Sequence, residues 1–137
     1  MFSDVSYNVR KRWLKDVSSK YVWVALFSAE PADFTADTEV TGSGYERQQV
    51  SWSNPSGMGV LSSTLPLTWT GIHDLTTIAA VGVMEGHESS LVAFYGAFRT
   101  PQVVTRGSFS PARDERYRRS GLGEFTLKAG ALTFRVA

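Results

Sequence analysis

The run Tyr21-Val-Trp-Val-Ala-Leu-Phe-Ser28 is apolar on both faces that an extended chain presents, with Tyr21, Trp23, Ala25 and Phe27 on one and Val22, Val24 and Leu26 on the other. Its β-branched and aromatic residues predict a strand over 21–28. A half-solvated strand alternates apolar with polar residues, so this one must be covered on both sides. The segment before it is one candidate cover and a neighbouring subunit is another. Glu30-Pro31 ends the strand, because the residue before proline is pushed out of regular pairing and proline has no N–H to donate.

Next comes Thr38–Trp52, in which Gly42 and Gly44 flank Ser43 between two polar extended segments. Glycine takes positive φ without a Cβ penalty, so the expectation is strand, tight turn, strand. A dinucleotide site is excluded, since neither the third glycine nor the following helix of that fingerprint is present.

Upstream, Val5, Val9, Trp13 and Val17 recur every fourth position with Leu14 beside them, which predicts an amphipathic helix over 3–17, capped by Ser3 or Asp4. Its other face carries Arg10, Lys11, Arg12 and Lys15, either as a solvated face matched to the helix dipole or as a phosphate-binding one. Trp13 reads as an anchor into the protein's own sheet or as a partner contact. Downstream, further strands are expected at 38–41, 45–52, 60–69, 76–85, 91–98 and 124–136, giving seven or eight in all. Leu65, Leu67 and Trp69 alternate with Thr64, Pro66 and Thr68, and Pro66 points to a sheet edge. Gly71 to Asp74 reads as a loop, Gly86–Ser90 as a hairpin connection, Gly82 and Gly96 as bulges or close backbone approaches, and Thr100-Pro101 as a turn. In the last strand Leu132, Phe134 and Val136 share one side. No helix separates consecutive strands, so the expected fold is all-β: an antiparallel β-sandwich or jelly-roll-like domain with one N-terminal α-helix.

Several of these segments, in order, resemble small structural proteins of tailed bacteriophages. Tyr21-Val-Trp-Val-Ala-Leu-Phe-Ser-Ala-Glu-Pro31 is similar to that family's "YVALFTADP" strand, and Thr38-Glu-Val-Thr-Gly-Ser-Gly-Tyr-Glu-Arg-Gln-Gln-Val50 to its "TEVSGGGYARQAV". Val81-Gly-Val-Met-Glu85, Leu91-Val-Ala-Phe-Tyr-Gly-Ala-Phe98 with Pro101, and Ala129-Gly-Ala-Leu-Thr-Phe134 follow, so the likeness covers residues 21–104 and 124–136. It implies a virion component of the tail-fibre, minor tail or head-decoration type. The chain departs from the pattern at 105–123, an inserted loop holding Arg106, Arg113, Arg116, Arg118 and Arg119 against Asp114 and Glu115. A loop of this length is either a solvated excursion or an arm that contacts a neighbour.

The 137 residues suffice for a single domain with a sizeable core, and 42% hydrophobic with 20% charged residues is an ordinary globular composition. With no cysteine, disulfides, thiolate catalysis and cysteine-held metals are excluded. His73 and His87 lack metal-ligand spacing, no Gly-x-Ser-x-Gly elbow exists, and Asp33, Asp37 and Glu39 match no calcium-loop pattern. The expectation is therefore no enzyme, no cofactor and no metal. A net charge of +1 and acids interrupting both basic clusters argue against nucleic acid, despite Trp13, Tyr45, Trp52 and Trp69. No apolar run is long enough for a membrane helix and no signal-peptide order opens the chain, so membrane is not expected as a partner and assembly in the host cytoplasm is. The resulting expectation is a non-enzymatic virion protein on the particle exterior, bound to major capsid or tail subunits and repeated by symmetry or as a homo-oligomer. Arg10, Arg12, Trp13, Arg113, Arg116, Arg118 and Arg119 are the candidate contacts. The alternative is a module that binds carbohydrate or the host surface, using exposed tryptophans to stack on sugar rings. Alternation, however, assigns Trp52 and Trp69 to the core side.

Overall fold

A computed structural model describes residues 7–54, 60–104 and 122–135. A helix, α1 (Tyr7–Lys20), precedes eight strands: β1 (Trp23–Phe27), β2 (Gln48–Gln49), β3 (Val60–Ser62), β4 (Leu67–His73), β5 (Thr77–Met84), β6 (Val92–Val103), β7 (Leu122–Leu127) and β8 (Thr133–Arg135). All pairings are antiparallel, so the fold is all-β with one helix. One sheet has the order β2-β1-β5-β6, and two ribbons, β3-β8 and β4-β7, complete the strands. The main core joins Val24, Leu26, Val81 and Val83 of the sheet to Leu67, Trp69 and Ile72 of β4, with Phe125 and Leu132 packed at its margin.

The second face of β1 forms its own cluster of Ala25, Phe27, Ala80, Met84 and Val92, bordered by Trp23, Ala36 and Tyr95. Its cover comes from the chain just after β1, where a 3-10 turn, Ala32–Phe34, lies against β6. Helix α1 packs instead beside β3, and its Leu14 is fully buried. It also runs past the expected Val17. The Ser18 and Ser19 hydroxyls donate to the Lys15 and Asp16 carbonyls, at 2.9 and 3.1 Å, so the serines close the last turn rather than break it. The expected start at 3–6 lies outside the described residues.

Several strand expectations change. The span 60–69 is two strands, because Pro66 interrupts donation and β4 starts directly after it with a new partner; Leu65 is 61% exposed and is no part of the buried alternation. Gly71 does not end β4. It sits at φ 69° in a register shift between Trp69 and Ile72, and the strand continues to His73. Thr100-Pro101 is not a turn either, since β6 carries it inside the irregularity between the Ile78–Gln102 and Ala80–Ala97 pairs, on an outer strand where a missing donor costs little. The span 124–136 divides into β7 and β8 around Gly130 at φ 82°. Gly82 is matched not to a backbone but to a ring: a Cβ there would stand 2.6 Å from Phe27 Cε2.

Candidate functional site

The Thr38–Trp52 stretch has the expected turn, with the Tyr45 N–H donating to Gly42 O at 3.2 Å, but not the expected strands on either side of it. Glu39 makes one bridge to Phe27, Val40 N–H donates to Leu26 O at 2.9 Å, and regular pairing resumes only at Gln48–Gln49. Between them residues 41–47 leave the β1 edge and cross β4. Neither Gly42 nor Gly44 has positive φ; the left-handed glycine is Gly71, lying against both. A Cβ on Gly42 would collide with the Gly71 carbonyl, and one on Gly71 would collide with the Gly44 backbone. The three glycines thus let two backbones touch, a use that spacing along one segment does not reveal.

This excursion leaves the Leu26 N–H without a ladder partner, and the Tyr45 hydroxyl accepts it at 3.0 Å. The same hydroxyl donates to Glu39 Oε2 at 2.8 Å. Arg47 then holds Glu39 with two parallel bonds, Nε to Oε2 at 3.0 Å and Nη2 to Oε1 at 2.9 Å. Its remaining Nη1 donates to the Gly86 and His87 carbonyls, both at 3.0 Å, tying the excursion to the β5–β6 hairpin. The side chains are only 10% and 17% exposed. Glu39 is therefore committed to this network and not offered to a cation, and no group of three metal-ligating side chains exists among the described residues.

Burial, and then the charge on Glu39, push the Tyr45 phenol well above its ordinary value of 10.0, while the bond to Glu39 raises Arg47 further. A raised folded value stabilises the fold below the unfolded phenol value and is lost as pH climbs beyond it, because the unfolded chain sheds a proton the folded chain must keep. Wild-type melting temperature is expected to fall as pH passes about 10, and Tyr45→Phe to flatten that limb while costing about 1–3 kcal/mol at neutral pH through the orphaned Leu26 N–H. Thermal melts of both proteins across an alkaline pH series check this; an unchanged limb in the variant refutes it.

The expected contact residues fall into two groups. Arg12 is exposed and Trp13 is 47% exposed, so Trp13 is not an anchor into the sheet; the neighbouring Leu14 is buried instead. Beside them Lys11, Lys15, Ser18, Ser19 and Asn54 line a shallow depression. The Arg10 side chain and Arg113, Arg116, Arg118 and Arg119 lie outside the described residues. Trp52 and Trp69 serve the core: Trp69 is fully buried with its N–H on Val24 O at 3.3 Å, and Trp52 is partly buried with its N–H on Tyr21 O at 2.9 Å.

A family model described as Podophage GP4 fiber I protein gp80 matches residues 15–111. The chain belongs to this family. It is a phage fibre structural protein, associated with the virion. The gp80 match takes in the end of α1, the glycine crossing, the Glu39–Tyr45–Arg47 network and the whole four-stranded sheet. No curated protein and no solved structure matches the chain.

Proposed function

We propose that this gp80-family chain is a non-catalytic component of the phage fibre apparatus, made in the host cytoplasm and held on the particle by protein–protein contacts with tail or capsid subunits. The observation that carries the reading is the surface of α1. A tryptophan half open to solvent stands next to Arg12 on a helix that buries the neighbouring Leu14. Tryptophan and arginine are the side chains that most often dominate protein interfaces. The basic segment Arg113–Arg119 is proposed as a second contact, on its arginine content alone. Copies repeated around the particle add weak contacts together by raising effective concentration.

The Arg12→Glu, Trp13→Ala double variant is expected to melt within about 2 °C of wild type, since neither side chain is in the core. It is expected to be largely missing from purified particles assembled in its presence. Quantitative mass spectrometry of those particles checks this, and normal occupancy would overturn the reading.

A further inference from the structure

The four-stranded sheet ends on β6; among the described residues no strand pairs with its outer edge, and the chain bridges there only just before the strand begins, where Thr35 meets Leu91. Native edges are usually short, charged or bulged away, because a bare edge templates another chain. Here the ladder is irregular at both ends, with Ala93 left over between the Met84–Val92 and Val83–Phe94 pairs and residues 98–101 left over beyond Ala97. Between them Phe94-Tyr-Gly-Ala-Phe98 is regular in its pairing up to Ala97 and carries no charge.

We infer that this edge is a self-association surface, on which β6 pairs antiparallel with β6 of a second copy about a two-fold axis at Gly96. The sequence around that residue is its own complement. Phe94 meets Phe98 of the second copy on the inner face and Tyr95 meets Ala97 on the outer, a large residue beside a small one. Gly96 is exposed and a Cβ on it would find nothing within 4 Å, so the two strands meet over open space. Arg135 of β8 borders the cleft on the inner face, while along β6 itself the nearest like charges are the two Arg99 side chains, six residues apart along the paired strands. At about 3.4 Å per residue that is roughly 20 Å, beyond a screening length of about 8 Å.

Aromatic groups flank the edge on both faces. Inside, Phe94 and Phe98 border an apolar cleft of about 440 Å³ shared with Trp52, Leu132 and Phe134. Outside, Phe34 is half exposed and lies 5.4 Å from the Tyr95 ring. Phe34 sits at φ 55°, a conformation L-residues avoid, just before the Thr35–Leu91 bridge. A five-residue pairing with such flanks is small for an interface, so it is reversible in dilute solution and effective where copies are already close.

The inference rests on the reading that the chain acts through protein–protein contacts, and its test uses the isolated chain, so that failure here leaves particle incorporation through α1 untouched. Ala97 is exposed, and Ala97→Lys or Ala97→Glu puts two like charges near the axis without touching the core. Sedimentation velocity over a concentration series is expected to show a wild-type monomer–dimer equilibrium. Each variant alone is expected to weaken it at least about tenfold, and an equimolar mixture to restore association by pairing opposite charges. Circular dichroism of both variants is expected to match wild type. A wild-type chain that stays monomeric at every concentration, variants that associate like wild type, or a mixture that fails to recover would each overturn the inference.

Discussion

Replacing Gly71 by alanine is expected to cost about 2–5 kcal/mol, through two faults at one atom. The residue sits at φ 69°, where a Cβ costs about 1–2 kcal/mol. The added methyl also runs into the Gly44 backbone, and backbone, unlike a flexible side-chain tip, cannot step aside; overpacking of this kind adds about 1–3 kcal/mol. Gly96→Ala is the matched control, since its methyl meets nothing and its change is expected within about 0.5 kcal/mol. Urea unfolding of the two variants measures the difference, and equal midpoints would show that the 41–47 crossing does not hold the layers together.

Arg47→Ala is expected to lower stability by about 3 kcal/mol, near 10 °C in melting temperature, because it strands the Glu39 carboxylate in a site with 17% exposure and releases the Gly86 and His87 carbonyls. Glu39→Gln is expected to be similarly damaging. The double variant is expected to be far less destabilised than the sum, as one network is lost once rather than twice. Strict additivity in a double-mutant cycle would mean the two side chains do not act together.

Local patterning made β1, β5 and the first part of β6 legible. Tyr21–Ser28 required cover on both faces and has it, and the 76–85/91–98 hairpin stands where its glycine-serine connection placed it. What was hidden is whatever depends on residues distant in sequence. Gly42 and Gly44 read as a turn and make one, but nothing nearby reveals that Gly71 will lie on them. Pro66 splits one apparent strand because its two halves have different partners, which alternation alone does not register. The excursion network was concealed for the same reason. Glu39, Tyr45 and Arg47 are ordinary surface types in sequence, and only the departure of residues 41–47 from β1 leaves the Leu26 N–H in need of a phenol. On α1 the period was right but its centre was one residue off: Leu14 is buried and Trp13 is turned out.

The two layers close at different moments of synthesis. Every strand of the β2-β1-β5-β6 sheet lies before residue 104, whereas β3 and β4 wait for β8 and β7, with cross-links such as Ser63 to Leu132 and Thr68 to Thr126 spanning 69 and 58 residues. Until residues 122–135 have emerged from the ribosome, Trp69 and Ile72 have a floor but no finished roof. The growing chain therefore holds sticky, half-covered surface for the time taken to add them, a delay that pairings between sequence neighbours do not impose.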